Sequence, residues 1–162
     1  MKETVKTKRR SFRHLVPPVD VAGRIERSDR MDRPIRVLAK AVRKRIGPGR
    51  LRDLLHGVPT GKPLHPPLTD LSLGCWLATA VLDLTDADPR AARAVLIAGI
   101  GGAIPAAAAG ITDWSSLHRE QQRVGFVHAI ANLTALGLYA GSLALRLAGN
   151  DRRGRLLAFA GL

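Results

Sequence analysis

Cysteine is almost missing: Cys75 is the single one among 162 residues. That excludes an internal disulfide framework, and it excludes a four-thiolate or Rieske-type cluster built from this chain alone. Aromatic residues make up only 4%. They are not interleaved with the basic residues and no recognition motif accompanies them, so no nucleic-acid partner is expected. The beginning of the chain lacks an apolar run, because Met1 to Arg10 leads into Ser11, Phe12, Arg13 and His14. No cleavable secretory signal is expected there. Acidic residues are scarce too, 13 against 26 Lys and Arg for a net charge of +13.

The charge is unevenly placed. Residues 1–62 hold 18 basic and 6 acidic residues, whereas residues 63–162 hold 8 and 7. The chain therefore divides into a basic region, 1–56, and an apolar helical domain, 57–162. Residues 1 to about 30 show no sustained periodicity and include Pro17 and Pro18, which predicts disorder. From Pro34, Ile35, Leu38, Ala39, Val42 and Ile46 repeat at helical spacing between Arg and Lys residues. This spacing predicts an amphipathic helix over about 34–46, N-capped by Asp32 and ended by Gly47-Pro48-Gly49. A short second helix is expected over Leu51–Leu55. The apolar stripe of the first helix suits the headgroup boundary and its basic face suits anionic lipid, with a solvated linker as the bland alternative.

The apolar half is Ala-, Leu- and Gly-rich. Ala94 to Thr112 is uncharged over 19 residues, about 28 Å as a helix and enough for a bilayer core. Val124 to Leu145 is uncharged over 22. Leu68 to Leu84 is a weaker third span, with Asp70 and Asp83 near its ends, and Pro63, Pro66 and Pro67 are expected to hold the chain extended before it. A fourth run begins at Leu156 and stops at Leu162, so the domain reads as C-terminally incomplete. The expected fold is all-α, a transmembrane bundle of three full spans plus the start of a fourth. The Lys and Arg bias puts the N-terminus on the cytoplasmic side of a bacterial cytoplasmic membrane, although Arg146, Arg152, Arg153 and Arg155 would then lie outside. Ala98, Gly102, Ala106 and Gly110, and the pair Gly137 and Gly141, mark close helix approaches, and Pro105 is expected to bend its helix.

In that orientation His65, Asp70, Asp113, Trp114, His128 and Asn132 gather near one membrane face, with His118 in the loop between the last two full spans. His128 and Asn132 share a helix face. An imidazole within a span is costly without a partner, which makes His128 the leading candidate. It could ligate a haem iron axially together with His65, handle protons or a quinone beside a carboxylate, or simply join helices. Trp114 reads as an interface anchor.

Three separated motifs carry a resemblance. Lys62-Pro63-Leu64-His65-Pro66-Pro67-Leu68-Thr69-Asp70 with Gly74 and Asp83, then Ala109-Gly110-Ile111-Thr112-Asp113-Trp114, then Gly125-Phe126-Val127-His128-Ala129-Ile130-Ala131-Asn132, together resemble the bacterial membrane family known as domain of unknown function 2231. The resemblance covers about residues 57–162 and implies a four-helix membrane domain. Many members of that family carry a Rieske iron–sulfur domain after the last helix, a domain absent from this sequence. The resemblance thus implies a membrane module or anchor of a redox system, with any iron–sulfur cluster on a partner and no established activity; the alternatives are a non-catalytic membrane scaffold and, further off, a soluble helical protein with a nucleic-acid-binding basic arm. Lys62 stands where the family pattern His-Pro-x-His-Pro has its first His, which weakens any role needing both.

Overall fold

The computed structural model describes residues 17–162, and every regular element among them is helical. Seven α-helices follow in order: α1 Pro17–Glu26, α2 Asp32–Ile46, α3 Arg50–Leu55, α4 His65–Leu84, α5 Pro89–Trp114, α6 Arg119–Leu147 and α7 Asp151–Ala160. The all-α expectation is met. The expectation of disorder over 1–30 lies, for residues 1–16, outside the described residues. For residues 17–26 it is corrected, because α1 packs against α6 and tertiary docking supplies what local periodicity lacks.

Helix α2 ends where glycine allows a turn: Gly47 has φ 60° and Gly49 φ 140°, conformations that side-chain-bearing residues rarely adopt. Its start differs from expectation. Asp32 is the first helical residue, not the N-cap, and its carboxylate is spent on Arg123 of α6. The apolar stripe of α2 also has another use than a headgroup boundary. Ile35 and Ala39 are buried against Trp114, with Met31 and Phe126 beside them.

Helix α4 begins three residues earlier than expected. Pro66 and Pro67 do not hold the chain extended; they sit in the first turn of α4, where a missing N–H leaves no hydrogen bond unmade. Helix α5 is N-capped by Asp88, whose carboxylate accepts the Arg90 N–H at 2.9 Å, and it runs through Pro105. Helices α4 and α5 form a tightly packed hairpin, and α6 and α7 form another. Glycines mediate the first: a Cβ on Gly99 would lie 2.7 Å from the Trp76 ring, on Gly102 2.9 Å from Ser72 Oγ, and on Gly110 2.6 Å from the His65 ring. Of the expected GxxxG pair, Gly141 meets Leu157 of α7, while Gly137 faces open space.

Among the described residues two helices, α5 and α6, are long and apolar enough to cross a membrane, rather than the three full spans expected. Helix α4 has 20 residues but carries both Asp70 and Asp83, which lower its mean hydropathy.

Candidate functional site

The basic segment folds back onto one end of the helical domain. His56, at the end of α3, places Nδ1 2.5 Å from Asp113 Oδ1 at the end of α5. Arg52, one turn earlier, donates Nε–H to His56 Nε2 at 3.3 Å. A ring nitrogen that accepts from a guanidinium and another that faces a carboxylate together fit the Nδ1–H tautomer. Arg43 donates to the Ser115 carbonyl. Arg123 grips both carboxylate oxygens of Asp32, at 2.7 and 2.9 Å, and that contact holds the Asp32 carboxyl below its ordinary range. Two buried polar residues complete this end: Trp114 Nε1–H donates to the Gln122 carbonyl at 2.8 Å, and the Gln122 amide donates back to the carbonyls of Trp114 and Ser115. Trp114 is therefore a buried joint between α2 and α6, a correction to its reading as an interface anchor.

The expected polar cluster is divided among different partners. Asp113 meets His56, a residue that sequence reasoning left in the basic half. His65 directs Nδ1–H to the Ala106 carbonyl at 2.8 Å. His128 and Asn132 do share a face, and the Asn132 amide lies 2.7 Å from His128 Nε2, but both are exposed on α6. Asp70 is exposed on α4, and exposed His118 stands at the N-cap of α6. Between α2 and α5 a small cleft lined by Val42, Arg43, Ile46, Thr112 and Ser115 has room for about one water. No group of three or more His, Cys, Asp or Glu side chains placed to hold a metal ion occurs among the described residues.

The opposite end holds a second cluster that the sequence reading missed. Arg146 of α6 and Asp83 of α4 form a bidentate pair, at 2.9 and 2.5 Å, with both side chains 1% exposed. Ser142 Oγ accepts from Arg146 Nε at 3.1 Å and donates to the Gly154 carbonyl at 2.7 Å. Arg155 adds a contact to the Asp83 carbonyl and pairs with Asp86. The signal was present in the sequence as an Arg and an Asp placed at the ends of apolar runs, which need each other once water is excluded. One helical layer inward, Trp76 and Tyr139 stack with centroids 4.2 Å apart.

What this geometry offers chemically is a set of joints between helices, each made of groups that would be costly unpaired. The comparisons give a family and no activity. No curated protein and no solved structure matches the chain. The pattern of the family described as "Predicted membrane protein (DUF2231)" matches residues 61–162, and the chain belongs to that family.

Proposed function

We propose that the chain is a non-enzymatic membrane module, an anchor for a redox partner of the Rieske type, with α4, α5 and α6 as three spans and the N-terminal side cytoplasmic. The observation that carries the anchor reading is the fate of its polar side chains. His56, Asp113, Arg123, Asp32, Asp83, Arg146, Trp114 and Gln122 are all engaged in joints between elements, as a module that holds helices together requires. Helix α4 suits a third span because its 20 residues reach about 30 Å. Its Asp83 is neutralised by Arg146, and its Asp70 stands near one end, where a carboxylate can reach the interface.

Orientation follows from charge. Helices α2 and α3 dock at the end where α4 begins and α5 finishes, so the large basic excess belongs to that side. At the other end Asp83 and Asp86 pair with Arg146 and Arg155, and the remaining Arg90, Arg93, Arg152 and Arg153 are outnumbered by the basic residues of α2 and α3. The outward side of α2 and α3 leaves Arg36, Lys40, Lys44 and Arg45 exposed beside Val37, Leu51 and Leu54, a surface suited to anionic lipid. Carbonate extraction of membranes tests the module reading: retention in the pellet is expected, and release into the supernatant overturns it. Labelling of a cysteine placed at position 3, in a Cys75→Ser background, by an impermeant reagent on intact cells would reverse the orientation. Copurification of an iron–sulfur protein with the tagged chain, read by electron paramagnetic resonance, tests the redox partner.

A second reading gives the chain its own haem. One observation favours it: His65 Nδ1–H is fixed on a backbone carbonyl, which leaves Nε2 as the free, oriented nitrogen, as in metal-ligating imidazoles. His128, with Nε2 turned to Asn132, is the other candidate. After haem supply, a visible absorption band lost in His65→Ala and His128→Ala is the expected result, and colourless protein removes this reading.

A further inference from the structure

The buried stripe of α2 is used up inside the protein, on Trp114, so the apolar groups that meet a membrane surface at this end must come from elsewhere. The next segment supplies them. Leu51 and Leu54, one turn apart on α3, are both exposed. After α3 the chain makes a single 3-10 turn, Val58–Thr60, packed against that helix, with Val58 and Pro59 on its outside. Val58 is 64% exposed, as bare as Ile104 in the middle of α5.

The turn is built, not slack. The Thr60 hydroxyl donates to the carbonyls of Gly57 and Lys62, at 2.9 and 3.0 Å, and the Gly61 N–H donates to the Val58 carbonyl at 3.2 Å. Gly57 is buried with φ 74°, and a Cβ there would lie 1.9 Å from the Lys62 carbonyl oxygen. Val58 and Pro59 are thus already held outward, and little ordering entropy is lost when they enter another phase.

Two contacts set the depth of this face. His56, at the end of α3, meets Asp113 in the last turn of α5, and His65, which opens α4, lies against Gly110 of α5. The segment between them is therefore level with the end of one span and the start of another, where the headgroup boundary runs. Charge selects the kind of lipid. Residues 32–62 hold nine Lys and Arg against two Asp, and Arg36, Lys40, Lys44, Arg45, Arg50 and Lys62 are exposed. The same charge disfavours two other occupants. Residues 1–16 bring six Lys and Arg against one Glu, and a second copy would bring an equally basic arm, so both meet like charge.

We propose that α3 and the Val58–Thr60 turn form an interfacial insertion element. Leu51, Leu54, Val58 and Pro59 enter the acyl boundary of the leaflet beside the start of α4, and the surrounding Lys and Arg side chains gather anionic phospholipid around them. This rests on α4 and α5 being spans.

The test uses the full chain in a Cys75→Ser background, in nanodiscs of mixed phosphatidylglycerol and phosphatidylcholine. An environment-sensitive dye is attached to one cysteine at a time, in Leu54→Cys, Val58→Cys and, as the mid-span reference, Ile104→Cys. At positions 54 and 58 the dye is expected to resist aqueous iodide and to be quenched more by a nitroxide high on the acyl chain than by one near its end. At position 104 the order reverses. With the nitroxide on phosphatidylglycerol rather than phosphatidylcholine, at equal mole fraction, quenching at 54 should report a local enrichment of about fivefold, the effect of one basic side chain near the surface. The enrichment should be lost when Arg50→Gln and Lys62→Gln are combined. Two outcomes overturn the proposal while position 104 keeps its deep quenching. Access of iodide to 54 and 58 leaves the face in water, and shielding from iodide and nitroxide alike puts protein over it. Equal quenching by the two lipids overturns the anionic preference. Iodide access at position 104 overturns the membrane reading itself.

Discussion

Asp83 and Arg146 face each other with both side chains 1% exposed and two hydrogen bonds between them, the one fully buried ion pair among the described residues. It ties α4 to α6 across the bundle, and Ser142 passes the connection to α7 through the Gly154 carbonyl. Removing Arg146 leaves the buried Asp83 carboxylate only the more distant Arg155, 3.6 Å away, and loss of one partner of a buried pair costs about 3–5 kcal/mol. Arg146→Leu should therefore lower stability by that amount in detergent unfolding, read by tryptophan fluorescence. Asp83→Leu combined with Arg146→Leu should recover most of the loss, since the double change leaves no unpaired charge. Equal damage from single and double variants would mean that the geometry of the pair, not its charge, is what matters.

The Asp32–Arg123 pair behaves differently because it is reachable by acid. The Arg123 hydrogen bonds hold the Asp32 carboxyl below its ordinary value of 3.8, so folding binds fewer protons than the unfolded chain does there. The docking of α1 and α2 on α6 gains from this pair above that value, and the gain disappears as pH falls through the lowered one. Trp114, buried under α2, reports the docking. Its fluorescence should change on acidification below about pH 4 in the native chain, and in Asp32→Asn that step should be missing.

Much of the fold was legible because its signals are local and periodic. Uncharged runs of bilayer length gave α5 and α6, and the Gly47-Pro48-Gly49 break gave the end of α2. Three features resisted, each for a reason of distance. Residues 17–26 show no helical pattern of their own and form α1 against α6. The stripe of α2 reads equally well as a face for lipid or for protein, and only the position of Trp114, 75 residues beyond Ala39, decides between them. The candidate site was legible as residues but not as pairs: His65 and Asp113 were singled out, whereas their partners, the Ala106 carbonyl and His56, carry no local signal. Asp83 with Arg146 and Trp76 with Tyr139 are likewise pairs between helices, 63 positions apart in the chain.

Glycines separate close approach from mere composition. A Cβ on Gly154 would lie 2.6 Å from Arg146 Cγ and 3.0 Å from the Ser142 carbonyl oxygen, while at Gly74 and Gly137 nothing lies within 4 Å. Gly154→Ala must displace the buried Arg146 and should destabilise the chain by about 1–3 kcal/mol. Gly74→Ala should be neutral or stabilising by up to about 1 kcal/mol, because alanine costs less backbone entropy in a helix. Detergent unfolding of the two variants beside the parent checks the contrast, and a loss at Gly74 equal to that at Gly154 would contradict the packing.

Tyr139 supplies the sharpest test of how the middle of the bundle is held. Its ring is stacked on Trp76 and 1% exposed, yet among the described residues neither its hydroxyl nor the Trp76 indole N–H has a hydrogen-bond partner. A buried tyrosine whose hydroxyl is bonded loses about 1 kcal/mol when that hydroxyl is removed, whereas one whose hydroxyl is unbonded sheds a desolvation penalty instead. Tyr139→Phe should therefore leave stability unchanged or raise it, and Tyr139→Ala should cost about 3–5 kcal/mol through the cavity and the lost stack. If Tyr139→Phe instead lowered stability by 1 kcal/mol or more, as a bonded hydroxyl would, the hydroxyl must have a partner such as an internal water.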